Sequence, residues 1–205
     1  MINESAEIRH YRDMVIDSLL KVDMQNIVHV VQILLQARKD KKTVFVFGNG
    51  GSGATASHFV GDLTKSLSYL YEKKFKAICL NDNIPGLMAY ANDISYEEIF
   101  VEPLKNFVER GDVVIGISGS GNSKNVIKAL EYANLVGATT IAFCGFNGGY
   151  IKQLAGLSVH VPINDMEIVE DIHMSFFHSI KRVLMLIIQQ EKTLFKGACE
   201  TSCEL

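Results

Sequence analysis

Two short loops rich in glycine and serine are the segments of this chain best suited to bind an anion. The first is Gly48-Asn-Gly-Gly-Ser-Gly53 and the second is Ser118-Gly-Ser-Gly-Asn-Ser123. Glycine lets the backbone approach a ligand closely, and a helix that begins at such a loop offers free N–H groups and positive partial charge. Ser118, Ser120 and Ser123 add hydroxyl donors that suit the free oxygens of a phosphate monoester. One such loop could be an ordinary capped turn, but two in one chain of this size predict a phosphate site.

The first loop also fits the dinucleotide-binding pattern G-x-G-x-x-G, at Gly48, Gly50 and Gly53. Asp82, just after the next predicted strand, could then bind a ribose. Three observations count against this alternative. About 40 residues precede the first predicted strand, Asp82 lies farther from Gly53 than the usual ~20 residues, and a second serine-rich loop has no role in dinucleotide binding. A dinucleotide-binding oxidoreductase is therefore the weaker alternative.

Carboxylates and histidines on two predicted helices supply candidate acids and bases. His58 and Asp62 are four residues apart, which puts them on one helix face. The last predicted helix carries Glu167, Glu170, Asp171, His173 and His178. Such groups can move protons to and from a bound substrate as general acids and bases. The residues alone also allow a structural interpretation: acidic residues favour a helix N-terminus, and the apolar neighbours of His178 are typical of a core histidine.

Hydrophobic periodicity predicts the scaffold that must bring these residues together. Apolar positions at helical spacing predict one or two helices over residues 5–39. Short apolar runs predict five buried strands, at 43–47, 75–80, 113–117, 139–144 and 157–161. Further helices are predicted over 52–66, 96–109, 123–136 and 166–196. This alternation indicates an α/β fold with a doubly wound parallel sheet, whose ligand lies beyond the carboxyl ends of the strands.

Composition and charge restrict the class of protein. The chain has 205 residues, 48% of them hydrophobic, and a formal net charge of −3, which predicts one globular domain and no nucleic-acid partner held by phosphate neutralisation. No apolar run approaches the ~20 residues that a membrane helix needs, and no secretion signal is evident. We therefore expect no membrane association and a cytoplasmic, reducing location. Cys79 and Cys144 are predicted in the core, and residues 197–205, with Cys199 and Cys203, as a disordered tail.

Several motifs together resemble the signature of the bacterial phosphoheptose isomerases, which belong to the SIS (sugar isomerase) group. They are Gly48-Asn-Gly-Gly-Ser52 with His58-Phe59, Asn92-Asp93, Gly116-Ile-Ser-Gly-Ser-Gly-Asn-Ser123, Gly148-Gly149 and the start of the last helix. The resemblance extends to about Gln190. It implies a single SIS domain over 1–196, a flavodoxin-like three-layer sandwich with N-terminal helices (1–40), an α/β core (41–165) and a long C-terminal helix (166–196).

The resemblance also implies an activity and site residues. The activity is isomerisation of sedoheptulose 7-phosphate to D-glycero-D-manno-heptose 7-phosphate through an enediol, for the heptose of lipopolysaccharide. Asp62 and His178 match catalytic positions, and the positions matching His58, Asp62, Glu170 and His178 hold zinc in some members, so Zn²⁺ is a possible cofactor. The expected substrate-binding residues are Asn49, Gly50, Gly51, Ser52, Asp93, Ser118, Gly119, Ser120, Ser123, Glu167 and Glu170.

The spacing of Glu170 and His178 adds a constraint on the assembly. Eight residues of straight helix rise about 12 Å, whereas zinc–ligand bonds are only about 2.0–2.2 Å. Either the last helix begins after Glu170 or one of the two residues comes from another subunit. We favour the second possibility and expect a homotetramer with its sites at subunit interfaces, as in the family.

Four residues depart from the family pattern. Asp62 stands for glutamate, Glu170 for glutamine and Gly119 for threonine, and the arginine expected soon after residue 62 is absent, leaving Lys65 as the only cation nearby in sequence. A displacement of ~1 Å at a catalytic group can lower a rate 10²-fold. The sequence therefore leaves open an altered phosphoheptose isomerase, an isomerase of another sugar phosphate, and a non-catalytic sugar-phosphate-binding or interaction protein.

Overall fold

A computed structural model describes residues 2–69 and 71–201, with side chains as far as residue 190. Its α-helices are α1 (Glu4–Leu19), α2 (Met24–Lys39), α3 (Gly50–Gly61), α4 (Ile84–Asp93), α5 (Val101–Lys105), α6 (Lys124–Val136), α7 (Ile151–Leu154) and α8 (Met166–Thr201). A π-helical turn, Asp62–Ser66, continues α3, and a 3₁₀ turn, Tyr96–Glu98, precedes α5. The strands are β1 (Thr43–Gly48), β2 (Lys76–Cys79), β3 (Val113–Ser118), β4 (Thr139–Cys144) and β5 (Leu157–His160).

The five strands form one parallel sheet in the order β2-β1-β3-β4-β5. The predicted doubly wound, flavodoxin-like α/β sheet is therefore confirmed. In this order the chain turns to opposite sides of the sheet after β1 and after β3, and such a switch point is where ligands bind. The glycine-serine loops follow exactly these two neighbouring strands, so both lie at the same edge of the sheet.

Each face of the sheet has its own apolar core. On one face α2, α3 and α8 pack through residues that include Val30, Phe59 and Phe177, all fully buried. On the other face α5, α6 and α7 pack through residues that include Phe100 and Leu130. Burial on both faces explains why the strands are nearly continuous apolar runs. The predicted core cysteines, Cys79 and Cys144, are buried and free.

One predicted helix is broken in the structure, and two helices of the structure were not predicted. The helix predicted over 96–109 is broken, because Pro103 is tolerated in the first turn of the short α5 but would remove a hydrogen bond inside a longer helix. Helix α4 was not predicted, although its start carries a recognisable signal. The Asn83 side chain accepts a hydrogen bond from the Gly86 N–H, and a proline lies in the first turn. The short α7 was also missed.

The C-terminal prediction is only partly addressed by the structure. Helix α8 continues to Thr201, beyond the predicted end near residue 196. The disordered tail predicted over 197–205 falls on residues whose side chains lie outside the described part of the chain. Among the helices formed by the described residues, none is long and apolar enough to cross a bilayer.

Candidate active site

A reciprocal pair of amide hydrogen bonds joins the two loops. Asn49 Nδ2 donates to Asn125 Oδ1 at 3.0 Å, and Asn125 Nδ2 donates to Asn49 Oδ1 at 2.9 Å. Asn125 is only 2% exposed. The Tyr96 hydroxyl also donates to Asn49 Oδ1, at 3.0 Å. Satisfied polar groups in a buried setting are rigid, so the start of α3 and the start of α6 form one unit.

The helices that begin at the loops differ from other helices in how they are capped. Asn49 and Ser123 are the N-cap residues of α3 and α6, and neither side chain bonds to its helix N-terminus. By contrast, the side chains of Asn3, Asp23 and Asn83 cap α1, α2 and α4. The hydroxyls of Ser118 and Ser123 instead lie 3.0 Å from each other. The N-cap side chains thus leave the first N–H groups of α3 and α6 uncapped, as an anion site requires, except that the Val126 N–H of α6 donates to Asn125 Oδ1 at 2.9 Å.

The second loop packs against the Gly148–Gly149 turn at backbone distance. Gly121 has φ +68°, and a Cβ atom there would lie 2.0 Å from the Gly148 carbonyl oxygen. Gly149 has φ +56° and a similarly close approach to the Gly121 carbonyl. Only glycine fits these two positions, because any side chain would strain the backbone and collide with it. This backbone contact therefore requires glycine both in the second loop, at Gly121, and in the turn, at Gly149.

A cavity of about 430 Å³ opens beside this loop. Its lining consists of Ser120, Asn122, Phe146, Asn147 and Asn164. Carboxamide side chains both donate and accept hydrogen bonds, so the cavity is suited to a polyhydroxylated ligand. Its position extends the predicted phosphate site with space for the rest of a sugar phosphate.

The side chain of Met166 lies directly above Gly119. A Cβ atom at Gly119 would lie 2.3 Å from Met166 Sδ and 3.1 Å from Met166 Cε. In this arrangement the thioether of α8 occupies the space that a threonine side chain at residue 119 would need.

A cluster of three side chains lies at the other end of α3. His58 Nε2 is 3.0 Å from His178 Nε2 and 3.6 Å from Asp62 Oδ2, and ligand atoms of all three lie within 4.8 Å of one another. The His58 side chain is 50% exposed and that of Asp62 13% exposed. The structure therefore brings together the two predicted catalytic residues and three of the four predicted zinc ligands in one chain.

Packing of the neighbouring aromatic residues positions the two histidines. Phe59 follows His58 in sequence, and Phe177 precedes His178. The two phenylalanine rings lie 4.4 Å apart between α3 and α8. Phe177 also stacks on Phe143 of β4 at 4.3 Å. This buried aromatic contact fixes the spacing of the two helices and so presents His58 and His178 to each other at the surface.

The change from α- to π-helix begins at Asp62. Its carbonyl accepts an i+5 hydrogen bond from the Leu67 N–H at 3.0 Å, and single π turns of this kind are frequent at functional sites. Asp62 Oδ1 accepts a hydrogen bond from the Ser66 hydroxyl at 3.1 Å and lies 3.6 Å from Lys181 Nζ. Lys65, the nearby cation in sequence, is exposed. The cation that reaches Asp62 comes from α8 instead.

Glu170 lies apart from the His–Asp cluster of its own chain. Its carboxylate is packed against Gly51, where a Cβ atom would lie 2.1 Å from Glu170 Oε2. Burial and the nearby carboxylates of Glu167 and Asp171 raise the pKa of Glu170. Because α8 begins at Met166, Glu170 is already helical, and the first explanation offered for its spacing from His178 is wrong. Glu170 instead contacts the predicted substrate loop.

The remaining predicted site residues lie around this edge of the sheet. Gly50, Gly51 and Ser52 form the first turn of α3, and Ser52 is buried. Asp93 ends α4, is exposed, and accepts a hydrogen bond from Asn92. Glu167 is exposed in the first turn of α8.

The core histidine of α8 is His173 rather than His178. His173 is 1% exposed and its Nε2 lies 3.3 Å from the Cys144 carbonyl oxygen, whereas its Nδ1 has no hydrogen-bond partner among the described residues. Burial lowers the pKa of His173 to about 4. His178 is exposed, so its apolar sequence neighbours gave a misleading indication.

Three residues of the site were missed by sequence reasoning. Asn125 could have been noticed, because it lies only two residues after the second loop and is therefore close to the first loop in the predicted sheet. Tyr96 and Lys181 offered no local signal. Their contacts with Asn49 and Asp62 depend on how distant elements pack.

The chain is similar to known sugar-phosphate proteins over most of its length. A family model described as the SIS domain matches residues 10–145. A probable phosphoheptose isomerase from Thermoplasma acidophilum is 38% identical over 162 residues, covering 78% of this chain and 88% of the relative. The phosphoheptose isomerase of Aquifex aeolicus is 36% identical over 178 residues, covering 87% and 89%.

A solved structure agrees with these sequence matches. The phosphoheptose isomerase of Neisseria gonorrhoeae superimposes with a TM-score of 0.82 at 25% identity, covering 89% of this chain and 98% of that one. The SIS match covers more than half of the chain, and the relatives align along nearly their whole length. The chain therefore belongs to the SIS-domain family, among the phosphoheptose isomerases.

Proposed function

We propose that this protein is a sugar-phosphate isomerase that converts sedoheptulose 7-phosphate to D-glycero-D-manno-heptose 7-phosphate for heptose biosynthesis. The observation that carries the proposal is the arrangement along α3. Ser52, in the first turn of α3, and His58 are six residues apart, or about 9 Å of rise. That span is comparable with an extended seven-carbon sugar phosphate, so the phosphate and the reacting carbons can be held at opposite ends of the helix.

The phosphate end orients the substrate. The Ser118, Ser120 and Ser123 hydroxyls and the first N–H groups of α3 and α6 bind the phosphate. The carboxamides of Asn122 and Asn147 line the cavity beside the second loop and can form hydrogen bonds with sugar hydroxyls. Because the loops are hydrogen-bonded to each other before the substrate arrives, binding requires little reorganisation.

The reacting end moves the proton. A base removes a proton from C1 of the ketose, the resulting enediol accepts a proton at C2, and the hydroxyl proton of O1 passes to O2. Asp62 and His178 are the acid–base pair for these steps, and His58 lies between them at 3.6 Å and 3.0 Å. A pair of imidazoles at hydrogen-bond distance can share one proton, so the cluster can hold the proton within reach of both carbons.

The cluster also fits a zinc ion. Two imidazole nitrogens and a carboxylate oxygen are ordinary zinc ligands, and ligands of a tetrahedral ion with bonds of about 2.1 Å lie roughly 3.4 Å apart. The distances of 3.0 Å and 3.6 Å lie on either side of that value. His58, Asp62 and His178 would hold the ion, and a bound zinc would polarise the substrate's carbonyl oxygen.

We further propose that the active form is a homotetramer whose subunit interfaces complete the sites. Exposed apolar residues on α1, at its C-cap and on α8 support an interface there; they include Ile8, Ile16, Leu20 and Leu186. Glu170 of one subunit would then approach the cluster of another. Light scattering should give four chains per particle, and dilution into monomers should abolish activity; an active monomer would contradict the proposal.

The proposed activity can be tested with sedoheptulose 7-phosphate in deuterated water, followed by NMR, with and without added zinc. We expect deuterium at the carbon next to the carbonyl and the appearance of the aldose. His178→Ala should abolish both signals, whereas His29→Ala, an exposed histidine of α2, should not. Absence of exchange under both conditions would reject this substrate. Phosphate-dependent binding without exchange would instead favour another sugar phosphate or a binding protein.

A further inference from the structure

Lys181 approaches the His58–Asp62–His178 cluster from α8. It lies three residues after His178, on the same helix face, and its Nζ is 3.6 Å from Asp62 Oδ1. The Lys181 side chain is 26% exposed and that of Asp62 only 13%. The ion pair is therefore sheltered from water more than a typical surface pair, and screening by salt is reduced.

The two oxygens of Asp62 have different partners. Oδ1 is bound by the Ser66 hydroxyl at 3.1 Å and faces Lys181. Oδ2 faces His58 Nε2 at 3.6 Å. A carboxylate oriented in this way offers one oxygen to the histidine side of the cluster while the other is held by a fixed positive charge.

We propose that Lys181 is a built-in cation that competes with a divalent metal for Asp62 and thereby weakens the zinc affinity of this site. The inference rests on the proposed active site, but its test needs no substrate. A dication and an ammonium group about 6 Å apart repel enough to lower the ion's affinity about tenfold, even at the dielectric constant of water. In addition, Lys181 must release the carboxylate before Asp62 can act as a full ligand.

The arginine that the resemblance predicts soon after residue 62 is absent, and Lys181 of α8 is the cation that reaches Asp62. Asp62 therefore has a positive charge beside its carboxylate, which a metal ion would have to displace.

The test is a Zn²⁺ titration of the full chain in competition with a chromophoric chelator. All proteins should carry Cys199→Ser and Cys203→Ser, because those thiols could bind zinc on their own. Lys181→Met, which removes the charge at similar length, should tighten zinc binding about tenfold or more. Lys181→Arg, which keeps the charge, and Lys65→Met, which neutralises the exposed lysine of the same π turn, should stay within about twofold of the parent.

A double-mutant cycle shows whether the gain acts through the carboxylate. In an Asp62→Asn background, Lys181→Met should keep the gain of about tenfold that comes from direct charge repulsion, and should lose any further gain that comes from releasing the carboxylate. Unchanged or weaker binding in Lys181→Met, an equal gain in Lys65→Met, or no zinc binding by any variant would overturn the inference. If Lys181→Met unfolds, Lys181→Gln serves as the second neutral variant. A failure to isomerise sedoheptulose 7-phosphate would leave these affinities, and this inference, unaffected.

Discussion

At the loop end of α3, the polar side chains are already bonded to one another: Asn49 to Asn125 and Tyr96, and Ser118 to Ser123. At the other end, His58 and His178 point ring nitrogens at each other at the surface, and Asp62 is shared between a histidine and a lysine. The first region is built from backbone turns and buried amides, the second from side chains of two packed helices. The difference separates a rigid binding platform from a group of titratable residues that can exchange protons or an ion.

If this division is right, variants of the cluster should change the rate and variants of the loops should change binding. Asp62→Asn keeps the shape of the side chain but removes its basicity. We expect kcat to fall by about 10²–10⁴-fold with KM changed little, because a general acid–base group acts mainly in the transition state. Steady-state kinetics on sedoheptulose 7-phosphate measure both quantities. A rise in KM with kcat preserved would show instead that Asp62 contributes mainly to substrate binding.

Low pH should destabilise the folded protein, and with it both regions, through protonation of His173. This residue anchors α8 to the end of β4 beneath them, and burial lowers its pKa from 6.5 to about 4. Between these pH values the unfolded chain binds a proton that the folded chain excludes, so stability falls as pH drops from about 6.5 toward 4, by on the order of 3 kcal/mol in total. Urea unfolding at several pH values measures this slope. His173→Gln should flatten it, and an unchanged slope in that variant would assign the acid sensitivity elsewhere.

Removal of the buried amide partner should loosen the platform without touching the cluster. Asn125→Ala leaves the Asn49 amide without its partner, and an unsatisfied polar group of this kind is destabilising by about 1–3 kcal/mol. We expect KM to rise roughly tenfold or more with a smaller change in kcat, and the unfolding midpoint to fall. Asn134→Ala is a matched control, because that amide bonds at the far end of α6. Equal effects of the two variants on KM would show that the Asn125–Asn49 contact has no particular role in substrate binding.

The smallest expected effect concerns Tyr96. Tyr96→Phe deletes only the hydroxyl that donates to Asn49, and a single hydrogen bond contributes about 1 kcal/mol. KM should therefore rise by no more than about fivefold. Tyr150→Phe, another exposed tyrosine, is the control. A large loss of kcat in Tyr96→Phe would show that the loop region contributes to catalysis as well as to binding, which would contradict the proposed division.

Much of the site could be predicted because local patterns encode it. A glycine-serine loop after a buried strand is a short-range feature, and two such loops at adjacent parallel strands must meet. His58 and Asp62 were likewise predicted together by their spacing on one helix. The residue pattern was ambiguous where it has two outcomes: His173 and His178 are both histidines among apolar residues of α8, and only the packing of α8 on β4 decides that His173 is the buried one.

The sequence by itself determined the parallel α/β sheet, the two glycine-serine loops at strand ends and the placing of His58 and Asp62 on one helix face, because strands, turns and helix faces follow from periodicity over a few residues. Only the tertiary structure decided which of these residues meet. Asn125 pairs with Asn49 across 76 positions and Lys181 reaches Asp62 from another helix. Met166 takes the space above Gly119, and Glu170 lies on Gly51 instead of joining the histidines. Such contacts depend on the crossing of α3, α6 and α8 over the sheet, and that geometry is set by the summed packing of a buried core, which no short stretch of sequence records.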